Sequence, residues 1–127
     1  MHWKEKNGAR RMDVQAESES PYEFCIFARA ALDDPNDFSV GLRITFQDGS
    51  KFNIMRCNGN HGRHKNLIEQ ERIEDLCHVH IATSRYIVSG LSAEGFAENT
   101  SEYKTVEGAL EYLMKRCNVS YERYPFQ

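Results

Sequence analysis

The chain lacks the features that mark a membrane-spanning or exported protein. Its apolar runs are only a few residues long, far short of the ~18 consecutive apolar residues that a spanning helix needs. Residues 1–13 also lack the apolar segment of a signal peptide. We therefore expect a soluble, cytoplasmic protein with no membrane partner.

Paired cysteines and the common cofactor motifs are also missing. The four cysteines are scattered without a C-x-x-C pair, and in a cytoplasmic chain we expect them to be reduced thiols. The sequence has no Walker A motif, no dinucleotide-binding glycine motif, no serine-hydrolase elbow and no H-E-x-x-H. These absences remove the usual support for the corresponding nucleotide, hydrolase and zinc-protease functions.

An excess of positive charge is missing as well. The 127 residues include 16 Lys and Arg against 19 Asp and Glu, which gives a formal net charge of -3. This balance argues against histone-like binding of a polyanion by the whole surface. The 40% hydrophobic content is enough for one ordinary core.

Composition divides the chain into two parts. Residues 1–20 are mostly polar and charged, and such a segment predicts a flexible leader outside the fold. Residues 21–127 contain no linker and no internal repeat, so we expect them to form a single α+β domain.

Alternation of apolar and polar residues predicts four strands. Alternation of this kind is typical of a strand with one buried face. The strongest example is FSVGLRITF, in which every second residue is apolar. The predicted strands cover residues 22–30, 38–46, 51–57 and 77–82, with the last one expected to extend to residue 88. Residues 58–75 and 90–101 are expected to be irregular.

The sequence also predicts the geometry of one hairpin. A three-residue loop with Gly49 in the left-handed conformation pairs Ile44 with Phe52 and Leu42 with Ile54. A two-residue loop would place polar residues on the apolar face instead. Matching the apolar faces is worth ~1.5–3 kcal/mol per large side chain, so we expect the three-residue loop.

The last element is a helix. Thr105 can cap its first turn, Glu107 lies near its positive end, and Asn118 can end it. Its apolar stripe consists of Val106, Leu110, Leu113, Met114 and Cys117. The predicted fold is therefore an antiparallel sheet of about four strands with a C-terminal helix packed on one face.

Histidines are concentrated in one stretch of the chain. His61 and His64 lie in a glycine-rich loop, whereas His78 and His80 follow i, i+2 spacing on a predicted strand and so share one face. Because Val79 takes the opposite face, the histidine face is the non-core face of the sheet. The plain interpretation is a solvated polar face without a chemical function.

The first functional interpretation is acid–base chemistry on a phosphate-bearing substrate such as RNA, in which the 2′-hydroxyl is the nucleophile. Imidazole gains and loses protons near neutral pH, and guanidinium binds the charge on a phosphoryl group. A metal-independent endoribonuclease or phosphodiesterase would need no cofactor. The predicted catalytic residues are His61, His64, His78 and His80. The predicted substrate-binding residues are Arg56, on the inward side of its strand, Asn58, Arg63, Lys65 and Arg43.

Two other interpretations stay open. The first is a zinc site, because the same region contains several zinc-type ligands. The candidate ligands are Cys57, His61, His64, His78 and His80. The second is a non-catalytic module that binds a protein partner through a sheet edge or the polar face, as an antitoxin-like partner or a phage-encoded inhibitor would.

Several sequence blocks together resemble a known group of proteins. DFSVGLRITFQDG, RCNGNHGRHKN and HVHIATSRYIVSG, followed by AENTSEY and the ALEYLMKRCN helix, resemble a family of small uncharacterised bacterial proteins associated with mobile elements or defence. The chain is more loosely similar to TumE-like toxins of toxin–antitoxin pairs. This similarity implies a toxin or defence protein whose site includes Arg56, Asn58, His61, His78 and His80.

Overall fold

The structure, a computed structural model, describes residues 3–60, 63–66, 71–74, 77–83 and 96–120, with the backbone alone for 63–66 and 71–74. Seven strands form one sheet in the order β1-β2-β3-β4-β5-β8-β9, and each neighbouring pair is antiparallel. The strands of this sheet are β1 (Lys4–Lys6), β2 (Ala9–Ala16), β3 (Glu23–Ala31), β4 (Phe38–Thr45), β5 (Lys51–Asn58), β8 (His78–Ile81) and β9 (Ala97–Asn99).

The prediction of about four strands is wrong, because the sheet has seven. Two of the additional strands, β1 and β2, come from the segment 1–20 that was expected to be a leader, and the third, β9, comes from a segment expected to be irregular. A separate antiparallel pair, β6 (Arg63–Asn66) and β7 (Glu71–Glu74), lies within another predicted loop. With its single described helix, the molecule still has an α+β-like architecture.

Strand β2 belongs to the sheet because its buried side chains face the core. It pairs with β3 along its whole length, from Ala9 opposite Ala31 to Ala16 opposite Phe24. Met12, at its centre, is 3% exposed. The exposed side chains of Arg11, Asp13 and Gln15 lie on the other face, so the strand is half buried although its composition is charged.

The predicted C-terminal helix is confirmed as α1 (Val106–Arg116). The Thr105 hydroxyl accepts a hydrogen bond from the Gly108 N–H at 3.1 Å, which satisfies a donor of the first turn. Asn118 has the left-handed φ of 55° that ends many helices. The helix packs on β3, β4 and β5, and the shared core includes Ile26, Val40, Leu42, Met55, Leu110, Leu113 and Met114.

The predicted hairpin is confirmed at its loop but differs further along. Gly49 has a φ of 89°, the Phe46 N–H donates to the Ser50 carbonyl, and Ile44 pairs with Phe52 as expected. A bulge after Leu42 then shifts the register, so Leu42 pairs with Met55 and the predicted Leu42–Ile54 pair is wrong.

The bulge determines where the polar residues of β5 point. It turns Met55 and Cys57 toward the helix, where they are 6% and 0% exposed. The intervening Arg56 therefore points to the opposite side of the sheet, which we call the outer face. The prediction that Arg56 lies on the inward side is wrong, and the reason is this change of register.

Candidate functional site

Cross-strand pairing brings the predicted polar residues together on the outer face. One row of directly opposed residues runs Phe27, Gly41, Arg56, His80 across β3, β4, β5 and β8. The next row runs Arg29, Ser39, Asn58, His78 across the same strands. We call Arg56, Asn58, His78 and His80 the histidine–arginine cluster.

The two histidines of the cluster form a contacting pair. Their ring centroids are 5.0 Å apart and the planes meet at 66°, so the edge of one imidazole approaches the face of the other. His78 is 4% exposed and His80 is 3% exposed. The prediction that they share a face opposite Val79 is confirmed, but the face is not solvated at this point.

A chain of hydrogen bonds connects His78 to the neighbouring strands. The Ser39 hydroxyl on β4 donates to Asn58 Oδ1 on β5 at 2.8 Å. Asn58 Nδ2 lies 3.3 Å from His78 Nε2 on β8. The three side chains therefore run in one line across three adjacent strands, as their pairing requires.

Tyr103 reaches the same place from the helix side of the sheet. Its hydroxyl lies 2.7 Å from the Asn58 carbonyl oxygen and 3.0 Å from the His78 carbonyl oxygen. Burial is the main reason why the pKa of Tyr103 is raised above its ordinary value. One buried hydroxyl thus joins the backbones of β5 and β8 where the cluster lies. No sequence signal indicated this residue, since the contact depends on how the chain enters α1.

Arg56 lies between Gly41 and His80 in its row. It is half buried, and its Nε atom is fully buried. Across Gly41, the Phe27 ring fills the space above the glycine, because an added Cβ there would lie only 2.3 Å from Phe27 Cζ. The guanidinium carbon of Arg43 lies 5.0 Å from the centre of the Phe27 ring. The guanidinium of Arg43 therefore lies against the Phe27 ring, beside the row that contains Arg56 and His80.

Arg29, a further arginine of the outer face, is partly neutralised. Arg29 Nη1 lies 3.0 Å from Asp37 Oδ1. Arg43 is directly opposite Asn53 and has the same parity as Ser39, which is opposite Arg29, so Arg29, Arg43 and Asn53 lie on one face of the sheet. Among these arginines, Arg56 is the one directly opposite a histidine.

The remaining predicted residues are only partly placed. His61 lies outside the described residues. The backbone of Arg63, His64 and Lys65 belongs to β6, and their side chains lie outside what the structure describes. Both β6 and β7 contact β9, the neighbour of β8. The strand that contains these residues therefore contacts the strand beside β8.

Of the predicted zinc ligands that the structure describes with side chains, Cys57 lies on one face of the sheet and the two histidines lie on the other. Cys57 is directly opposite Val79 and faces the helix, whereas His78 and His80 face away from it. Burial raises the pKa of the Cys57 thiol to about 12, which keeps the free thiol protonated at neutral pH. Within the described part of the chain, no group of three or more His, Cys, Asp or Glu side chains is arranged to hold a metal ion.

Comparison with known proteins adds no assignment. No protein-family model matches the chain, and neither a curated protein nor a solved structure is detectably similar to it. Among the described residues, no helix has both the length and the apolar character needed to cross a membrane.

Proposed function

We propose that this protein cleaves RNA without a metal ion, as a toxin or defence protein, and that the histidine–arginine cluster is its active site. The observation that supports this most directly is the position of Arg56 opposite His80, with the ring of His78 5.0 Å from that of His80. An imidazole can transfer the proton in phosphodiester cleavage, and a guanidinium can stabilise the charge that develops on the phosphate.

The proposed reaction uses the RNA 2′-hydroxyl as nucleophile. An imidazole of the pair takes the hydroxyl proton, the 2′ oxygen bonds to phosphorus, and the bond from phosphorus to the 5′ oxygen breaks. The leaving 5′ oxygen takes a proton from water, and the imidazolium later releases its own proton to water. The products are a 2′,3′-cyclic phosphate and a 5′-hydroxyl. Arg56 binds the phosphate and the charge that builds on its oxygens.

The charge of the outer face supports a phosphate-bearing ligand. The chain as a whole is acidic, with a formal charge of -3. On this face, however, the arginines Arg11, Arg29, Arg43 and Arg56 outnumber the carboxylates Asp13, Glu23 and Asp37. Arg56 is half buried, in contrast to the buried histidines. The proposal therefore assigns the first contact with phosphate to Arg56 and proton transfer to the imidazoles behind it.

The test is cleavage of an end-labelled single-stranded RNA by purified protein in the presence of EDTA. We expect a 2′,3′-cyclic phosphate product, and a loss of at least about 100-fold in rate for His80→Gln, in line with the usual contribution of a general base. Arg56→Ala should also be impaired. Arg11→Ala is the matched control. Arg11 is an exposed arginine of β2 on the same face, and it is directly opposite Arg29 of β3.

A thermal unfolding curve is measured for each variant, so that activities are compared at a temperature at which all variants are folded. Wild-type activity in both His80→Gln and Arg56→Ala would contradict the proposal. Binding of RNA by the wild type without any cleavage would also overturn it, and would favour the non-catalytic binding module. Expression in a bacterial host adds a second measurement, since only an active nuclease should arrest growth in an Arg56- and His80-dependent way.

A further inference from the structure

We infer that Ser39 and Asn58 hold the proton of neutral His78 on Nδ1, so that His78 is a positioning residue and His80 is the general base. The assignment of the proton depends only on hydrogen bonds within the protein. The division of catalytic roles between the two histidines rests on the proposed function.

The orientation of the Asn58 amide determines which ring nitrogen of His78 carries the proton. Its Oδ1 accepts the hydrogen bond of the Ser39 hydroxyl at 2.8 Å. The other end of the amide, Nδ2, can only donate, and it faces His78 Nε2 at 3.3 Å. His78 Nε2 must then offer a lone pair. In a neutral imidazole the proton consequently lies on Nδ1.

The surrounding structure keeps this arrangement in place. His78 is 4% exposed, so water has little access to compete for its ring nitrogens. Asn58 and His78 are directly opposed in the ladder, and the Tyr103 hydroxyl lies within hydrogen-bonding distance of both their carbonyl oxygens. The backbone that positions both side chains is thus fixed from the helix side.

The two histidines therefore differ in what their rings can do. The Nε2 lone pair of His78 is occupied by Asn58 and is not free to take a proton from a ligand. His80 lies opposite Arg56, where the phosphate is proposed to bind. Because His80 is only 3% exposed, RNA binding has to open access to its ring. The edge-to-face contact at 5.0 Å lets the fixed ring of His78 restrict the orientation of the His80 ring. This makes Asn58 and Ser39 further residues on which the site depends.

The experiment is nitrogen-15 NMR of the histidine rings in the full chain near pH 8, without ligand. For wild type we expect a protonated-type shift for Nδ1 of His78 and an unprotonated-type shift for Nε2. In Asn58→Asp the amide donor is replaced by an acceptor, so the proton should move to Nε2. Ser39→Ala should reduce the difference between the Nδ1 and Nε2 shifts of His78. Ser39→Thr, which keeps a hydroxyl, should leave the wild-type difference in place.

Asn99→Asp is the matched control. Asn99 lies on β9, directly opposite His78 of β8. This variant therefore puts the same negative charge on the other side of His78 and leaves the Asn58 amide in place. We expect it to keep the wild-type pattern. A proton on Nε2 of wild-type His78 would overturn the assignment, as would an equal change in Asn58→Asp and Asn99→Asp, which would indicate a charge effect alone.

This measurement is independent of RNA cleavage, so the two proposals fail separately. If the NMR pattern is as expected and the wild type cleaves no RNA, only the proposed function is wrong. If the protein cleaves RNA and His78 carries its proton on Nε2, only the division of roles is wrong. With both correct, Asn58→Asp should lower the cleavage rate by about 10-fold or more, while Asn99→Asp should stay within about 2-fold of wild type.

Discussion

Tyr103 connects the core of the molecule to the candidate site through a single hydroxyl group. It is 4% exposed, and its ring lies 6.0 Å from that of Phe38 between the sheet and the start of α1. Its hydroxyl lies close to the carbonyl oxygens of Asn58 and His78. The residue therefore contributes to stability and to the position of the histidine–arginine cluster.

Removal of this hydroxyl should reduce stability in a pH-dependent way. At pH 7 we expect Tyr103→Phe to lower the free energy of unfolding by about 1–3 kcal/mol, because buried carbonyl groups lose their donor. The pKa of Tyr103 is raised in the folded state, so the contribution of the hydroxyl is fully present below the ordinary tyrosine pKa of about 10. Above that pH the unfolded state releases its proton first, and the contribution is lost as pH rises.

Urea unfolding at pH 7 and at pH 11 measures this effect. The difference in stability between wild type and Tyr103→Phe should narrow at the higher pH. Tyr112→Phe is the control, since Tyr112 lies on α1 with its hydroxyl at the exposed Arg116, and its effect should stay within about 0.5 kcal/mol. The role assigned to this hydroxyl would be contradicted if wild type and Tyr103→Phe differed little in free energy of unfolding at pH 7. It would also be contradicted if that difference were larger at pH 11 than at pH 7.

Some residues of the cluster could be predicted from the sequence and others could not. The spacing of His78 and His80 was sufficient to place both on one face opposite Val79, because that relation is local. Their burial could not be predicted, since it depends on what the rest of the chain places over them. The contact of Tyr103 with residues 25 and 45 positions away is likewise set by tertiary packing.

At the level of single elements, the bulge in β5 is the feature that determines the site. Between Asn53 and Met55 it reverses the alternation of side chains between the two faces of the sheet. Arg56 therefore points to the outer face, where it is directly opposite His80. The sequence contained a signal for it, because Ile54 and Met55 are adjacent apolar residues in an otherwise alternating strand. The hairpin loop was predictable from Gly49, whereas this break in alternation is what indicates the bulge.

The start of α1 can be tested by its cap. Thr105→Ala removes the acceptor for the Gly108 N–H, and we expect a loss of about 1 kcal/mol in the free energy of unfolding. Thr105→Ser keeps the oxygen and should stay close to wild type. Thermal or urea unfolding monitored by circular dichroism gives the comparison. Equal stability of the Ala and Ser variants would show that the cap contributes nothing.

For the whole molecule, the error in strand number has one physical cause. Strands at and near the sheet edges are short or rich in charge, and their residues gain burial only from a neighbouring strand. All three residues of β1 are exposed, and β9 buries only Ala97. Composition therefore suggested a leader and a loop, while the strongly alternating central strands and the helix were predicted because their patterns are long and regular.

The contribution of β2 to the fold gives the most direct test of this architecture. Met12 is 3% exposed and opposite Ala28, on the face that packs against the core. Met12→Ala should therefore lower the free energy of unfolding by about 2–5 kcal/mol, the usual cost of emptying a buried position of this size. Asp13→Ala, on the exposed face of the same strand, should change it by less than about 0.5 kcal/mol. Urea unfolding distinguishes the two, because a leader outside the fold predicts no effect from either substitution.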